Sequence, residues 1–239
     1  MHQTLQPAGR EVREGLRERV HGVLRRAIIA GRLTTTGGFL NERQTAARLG
    51  ISTTPLKEAL RRLEAEGLVV TVPRRGVRVT FDAARAEEMS LARAALESMI
   101  ARVAAARIGD AALAALDGVA GEMRDATAAG DVARLIALNG TFHEAIHLAS
   151  GCDYLRRLLQ RQLFYDQATR EFLLSDPEER GRALAEHLRI LAALAARDEN
   201  AAETAMRDHV VRSGRQHVRA AFARRETLPG GDAPEWLDE

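Results

Sequence analysis

Apolar residues recur every fourth position at Val12, Leu16, Val20, Leu24 and Ile28. This stripe predicts an amphipathic helix over residues 10–30, ending at Gly31. The Thr/Gly-rich stretch Leu33–Gly38 follows as a loop. Asn41 then stands where it can cap a second helix whose third position is Gln44, a capping-box spacing. Ala46, Ala47 and Leu49 offer that helix a small apolar face, and Gly50 can end it in a left-handed conformation. Ser52 is placed to cap a third helix. Pro55 falls in that helix's first turn, where a missing N–H costs little. Leu56, Ala59, Leu60 and Leu63 repeat at helical spacing up to the stop at Gly67. The period then switches: Val69–Val72 and Val77–Thr80 are β-rich runs around Pro73-Arg74-Arg75-Gly76, a hairpin with a basic tip. Three helices followed by such a hairpin make a winged helix-turn-helix, a device that places one helix in the major groove of DNA.

Beyond Phe81 the alternation ends. Helical patterns run near 84–107, 110–129, 131–149, 152–175, 178–197 and 200–224, broken at Gly109-Asp110, Gly130-Asp131, Ser150-Gly151, Ser175-Asp176-Pro177 and Asp198-Glu199-Asn200. The predicted fold is mainly α: a winged helix-turn-helix over 10–80, then an all-α antiparallel bundle of six to seven helices over 81–228. Residues 1–9 read as a disordered arm and 229–239, rich in Pro, Gly and acid, as a disordered tail in which Trp236 has no assignable role. No internal repeat stands out.

Charge sharpens the division. Residues 1–80 hold 15 Lys+Arg against 7 Asp+Glu, a net of +8, and the rest of the chain a net of −6, so the overall +2 conceals a basic N-terminal third. Such a concentration attracts phosphate and makes binding salt-dependent. Lys57 is the only lysine; the other cations are Arg, suited to bidentate contacts, although the Ala- and Arg-rich composition can also reflect the genome. No run of 18 apolar residues predicts a membrane span, and the N-terminus lacks an apolar signal core. Cys152 is alone, which fits a reducing cytosol, and no local motif activates it.

Polar residues within the bundle's apolar stripes raise the question of a site. Asn139 and His143 lie four apart on one helical face, and His187 and His209 fall on two later helices. Imidazoles so placed can form a bundle-core metal site. From spacing alone the commoner reading is exposed or hydrogen-bonded histidines. His143-Glu144-Ala145-Ile146-His147 matches the short zinc-protease pattern with Glu144 as base. That chemistry also needs a third ligand and a cleft, usually beside a sheet edge, whereas the downstream sequence is all helical. His147 is then a spare supporting group or an exposed one.

Over about residues 15–222 the chain resembles the GntR family of bacterial transcription regulators, in its FadR subfamily with an FCD effector domain. The resemblance rests on Gly31-Arg32-Leu33, Leu40-x-Glu42-Arg43, Ala46-x-x-Leu49-Gly50, Pro55-Leu56-x-Glu58-Ala59-Leu60-Arg61-Arg62-Leu63, Glu66-Gly67-Leu68-Val69 and Gly76-Val77-x-Val79. In the bundle it rests on Arg93-Ala94-Ala95-Leu96-Glu97, Phe142-His143, Gly151-Cys152-x-Tyr154-Leu155, Glu186-His187-x-x-Ile190 and Met206-x-x-His209.

The resemblance implies a cytoplasmic homodimer that is not an enzyme. It would bind a double-stranded, inverted-repeat DNA operator, most simply as a repressor, with Arg43, Thr53, Thr54, Lys57, Arg61, Arg74, Arg75 and Gly76 near phosphates or bases. It implies a divalent metal (Zn, Ni or Mn) at Asn139, His143, His187 and His209, and a small carboxylate effector, an organic or sugar acid, beside it. Arg93 would pair with that carboxylate, or alternatively with Glu97 at i+4. The ion itself could also be the signal. Three features depart from the family pattern. Ser52-Thr53-Thr54-Pro55 and Lys57 lack two arginines that commonly contact DNA. The loop after Gly31 lacks Pro-Gly and is one residue longer. Asn139 replaces an Asp, removing a negative charge from the metal shell.

Overall fold

The computed structural model describes residues 8–29, 33, 39–160 and 173–223. The chain divides into two compact units, residues 1–85 with 221–239, and residues 86–220. The first unit runs on to Arg85, whose guanidinium would stand 3.0 Å from a Cβ at Gly67.

In the first unit α1 spans Ala8–Ile29, α2 Glu42–Arg48 and α3 Thr53–Ala65, followed by β1 Val69–Val72 and β2 Gly76–Val79. Helix α1 therefore starts two residues inside the segment read as an arm; residues 1–7 and 229–239, with Trp236, lie outside the described residues, as does most of the 33–38 loop. Val20, Leu24 and Ile28 of α1 and Leu56, Ala59, Leu60 and Leu63 of α3 are buried, as their spacing predicts. His21, also buried, reaches Glu66 at 2.9 Å and ties α1 to the end of α3.

Asn41 caps α2 by accepting from the backbone N–H groups of Arg43 and Gln44, and Gly50 follows the helix at φ 62°. Two expectations fail here. Ser52 occupies the N-cap of α3 in extended conformation, but its hydroxyl makes no capping bond. Ala47 is exposed, so only Ala46 of the small apolar face is fully buried.

The strands pair antiparallel with Val69 opposite Val79 and Val72 opposite Gly76, so Gly76 belongs to β2 and Thr80 lies beyond it. Gly76 adopts φ 106°, and a Cβ there would stand 2.9 Å from the Leu40 carbonyl oxygen. Leu40 in turn donates to the Val77 carbonyl at 2.7 Å, so the wing root needs a residue without a side chain.

The second unit is helical. The helices are α4 Ala83–Arg107, α5 Asp110–Ala129, α6 Val132–Ser150, α7 Asp153–Gln160, α8 Pro177–Ala195 and α9 Glu199–Ala223. Gly130 and Gly151 end α5 and α6 in the left-handed conformation. Asp131 caps α6 and Asp176 caps α8, each by accepting a backbone N–H. The helix predicted over 152–175 is seen over its first eight residues; 161–172 lie outside the described residues and Leu174-Ser175 form a turn. Cys152 is half-buried and donates its backbone N–H to the Ser150 hydroxyl.

Helix α5 packs on α6 and α8, and the core they share includes Ile100, Leu116, Met123, Leu138, Phe142, Ile190, Leu194 and Met206. Small residues at 101, 104, 105 and 120 bring the helices close. No described helix is long and apolar enough to cross a membrane.

Candidate functional site

In the first unit, burial of one face of α3 turns Thr54, Lys57 and Arg61 outward at i, i+3 and i+7, with Thr53 half-buried at the helix start. Arg43 is exposed on α2, and Lys57 stands 3.6 Å from Glu42. Arg74 and Arg75 are exposed at the wing tip, where Arg74 takes φ 63°. Gly76 is half-buried against Leu40 and forms the wing root rather than its surface.

In the second unit, α6, α8 and α9 bring His143, His187 and His209 together. All three are buried, and their candidate ligand nitrogens lie within 4.8 Å of one another. Ring centroids are separated by 5.6 Å (His143–His187), 4.5 Å (His187–His209) and 5.4 Å (His143–His209). Asn139, one turn before His143, is 6% exposed, and its Oδ1 is buried without a hydrogen-bond partner.

Each ring is held through Nδ1. His187 Nδ1 contacts the Ala183 carbonyl at 2.7 Å, His209 Nδ1 contacts Glu186 at 2.8 Å, and His143 Nδ1 contacts Glu97 at 3.4 Å. Acceptors on Nδ1 fix the tautomer and the orientation of each ring. A buried amide oxygen without a partner beside three such imidazoles is a donor set that fits a borderline divalent ion.

Around the cluster lies a layer of buried charge that the sequence pattern did not bring out. Glu97 of α4, with no exposed surface, accepts from Arg93 at 3.0 Å and contacts His147 Nε2 at 2.7 Å. Burial opposes its ionisation most strongly. The charge of His143, hydrogen bonds from His143 and His147, and Arg93 together outweigh burial, so its pKa lies well below the ordinary value. Glu186 follows the same logic: burial raises its pKa, and hydrogen bonds from His209 and Arg212 bring it below the ordinary value. Burial lowers the pKa of His209 more than Glu186 raises it, favouring the neutral ring that a ligand requires. Arg212 bonds to both Glu186 and Glu179.

A cavity opens beside Asn139, His187 and His209. Its cations among the described residues are Arg180 and Arg212. Of the two partners offered for Arg93, it takes Glu97 at i+4: it is buried in that ion pair and is not among the cavity's lining residues. The legible hints lay in spacing. Glu179 and Glu186 are seven apart on α8, and Arg212 follows His209 by three on α9.

Residues 16–79 match the gntR family of bacterial regulatory proteins, and residues 88–212 match the FCD domain. The chain belongs to the GntR family of transcription regulators. Its relatives include the HTH-type transcriptional repressor RspR of Escherichia coli K12, 26% identical over 194 residues that cover 81% of this chain and 85% of RspR. An HTH-type transcriptional regulator from an unstable DNA locus of Streptomyces ambofaciens is 30% identical over 183 residues, 73% of each chain. E. coli McbR/YncC shares the fold with a TM-score of 0.57 at 23% identity, over 88% of this chain and 98% of that one. So does Lar, described as controlling the Listeria monocytogenes agr system, with a TM-score of 0.58 at 18% identity over 92% and 99%.

For a GntR regulator with an FCD domain, the HEAIH segment is a stretch of bundle helix and not a hydrolase centre. Glu144, the would-be base, is half-exposed and bound to Arg156 at 2.7 Å. His147 is the supporting group rather than an exposed one: it is buried on Glu97, which also contacts His143.

Proposed function

We propose that this GntR regulator is a cytoplasmic, homodimeric repressor that binds an inverted-repeat operator and is released by a small carboxylate held beside a divalent metal, Zn, Ni or Mn. The observation that carries the reading is the buried trio His143, His187 and His209, with the orphaned Asn139 oxygen, beside a cavity that Asn139, His187 and His209 line. Asn139, His143, His187 and His209 would hold the metal, which when bound offers positive charge to a carboxylate oxygen. The Nδ1 contacts of Glu97, Ala183 and Glu186 orient the rings for this role. The repressor sense is supported by RspR, and the dimer by the two-fold symmetry of such operators.

DNA contact is assigned to Arg43, Thr53, Thr54, Lys57 and Arg61, with Arg74 and Arg75 of the wing on phosphate or the minor groove; Gly76 shapes the wing beneath them. Helix α4 carries Arg93 and Glu97 and is continuous with the wing through residues 80–82. Movement of Glu97 on effector binding would travel along α4 and shift the winged helix off the half-site spacing.

Fluorescence anisotropy on duplex DNA from the protein's own promoter tests the first half. Arg43→Ala and Arg75→Ala should each weaken binding and lower the salt slope by about 0.9 for every phosphate no longer neutralised. No duplex affinity at low salt would end the reading. Elemental analysis tests the second half: near-stoichiometric metal in the wild type and full retention in His143→Ala/His209→Ala would dismiss the assigned ligands. Metal titration of DNA binding without organic acid tests whether the ion alone is the signal.

A further inference from the structure

The cavity is not chemically uniform, and its asymmetry specifies more than a generic acid. One end is the imidazole cluster. Along α8, Arg180, Ala183, Leu184 and His187 all line the cavity at i, i+3, i+4 and i+7, so a single helical face forms its floor. Seven residues separate His187 from Arg180, about 10 Å along the helix axis.

The two cavity arginines differ in what they already hold. Arg212 is saturated by Glu179 and Glu186. Arg180 donates from Nη1 to the carbonyls of Leu174 at 3.1 Å and Ser175 at 3.3 Å, and its Nε is buried without a hydrogen-bond partner. Among the described residues no carboxylate forms an ion pair with it. Arg180 is therefore a cavity cation whose charge is still open to a ligand.

Among the described residues the walls between the two ends are mostly apolar, with Met123, Leu135, Leu173, Leu174 and Leu184, and Glu179 is already bound to Arg212. Among the described residues, the two hydroxyls that line the cavity donate elsewhere, Thr127 to the Met123 carbonyl at 2.7 Å and Ser213 to the His209 carbonyl at 2.8 Å. A polyhydroxylated ligand would leave several of its own hydroxyls without partners, and burying them unpaired is costly.

We infer that the effector is an elongated aliphatic dicarboxylate, with one acidic end at the His143–His187–His209 cluster and the other on Arg180. This rests on the carboxylate reading proposed above and narrows it by length and polarity. A guanidinium fork matched to a carboxylate gives a charge-assisted bond that a monocarboxylate of equal length cannot make.

The test is isothermal titration of the zinc-loaded full chain with succinate, glutarate, adipate and pimelate, each against the monocarboxylate of the same carbon number, and with galactarate as the hydroxylated counterpart of adipate. At least one diacid should bind about tenfold or more tighter than its monoacid, and adipate more tightly than galactarate. In Arg180→Gln that preference should fall to within about twofold, while zinc content and monoacid affinity hold. Arg180→Lys, which keeps the charge without the fork, should retain part of the preference and guards against a folding defect in the glutamine variant. An undiminished diacid preference in Arg180→Gln overturns the role of Arg180. Tighter binding of galactarate than of adipate overturns the aliphatic assignment. If neither monoacids nor diacids bind the zinc-loaded protein, the carboxylate reading itself fails, and this one with it.

Discussion

Replacing Glu97 with Leu tests the buried charge layer directly. Glu97 has no exposed surface and carries Arg93, His143 and His147 on one carboxylate, and Arg93 is itself only 4% exposed. Glu97→Leu leaves the guanidinium buried with its carboxylate gone, a change that costs about 3–5 kcal/mol where one partner of a buried pair is removed. In a chain of this size each kcal/mol shifts the melting temperature by roughly 2–4 °C. The expected drop is thus about 6–20 °C, read by circular dichroism on chelator-treated protein so that metal linkage does not contribute.

The double variant Arg93→Met/Glu97→Leu removes both charges and keeps the volume. It should recover a substantial part of the loss, because replacing a buried pair with apolar side chains is often neutral. Recovery should stop short of wild type, since His147 Nε2 and His143 Nδ1 still lose their acceptor. A single variant that melts within 2 °C (~0.5–1 kcal/mol) of wild type would refute the reasoning. So would a double variant whose loss equals the sum of the two singles.

Three further outcomes follow from particular contacts. Gly76→Ala places a Cβ 2.9 Å from the Leu40 carbonyl at φ 106° and should destabilise the first unit by about 1–3 kcal/mol, measured by chemical denaturation, with operator affinity falling in parallel. Gly214→Ala drives a Cβ into Ser90 Oγ and to 2.8 Å from Ser90 Cβ, an overpacking cost of about 1–3 kcal/mol that Ser90→Gly should relieve in the double variant. Acid should destabilise the metal-free protein in two stages. His209, whose folded pKa is depressed, takes up its proton more readily when unfolded, so stability falls as pH drops below about 6.5. Glu97 and Glu186, also depressed, add stability above about 4.3 that is lost as pH falls through their lower folded values; Glu186→Gln should flatten that second stage of the melting-temperature profile.

Much of this was open to a reader of the chain alone. Helix and strand periods, Asn41, Gly50 and Gly67 are local signals, and the bounds of α1–α3 and the wing follow them because caps, turns and one-face periodicity are set within a few residues. The Asn139–His143 pair was visible for the same reason: i and i+4 share a helical face whatever the fold. The Ser52 cap is the local rule that failed, and no contact in the structure accounts for its missing bond.

Only the tertiary structure decided which histidines meet. His143, His187 and His209 stand on three helices, and no periodicity within one helix fixes how another packs against it. The structure likewise turned Glu144 outward to Arg156 and His147 inward to Glu97, although both lie in one five-residue motif. It also decided between the two partners offered for Arg93, and opened the cavity to Arg180 and Arg212 instead. A charged residue's sequence position tells which face it occupies. Whether it is then solvated, neutralised or left facing a cavity depends on what the neighbouring helices bring within about 4 Å of it, and that is settled only when the bundle closes.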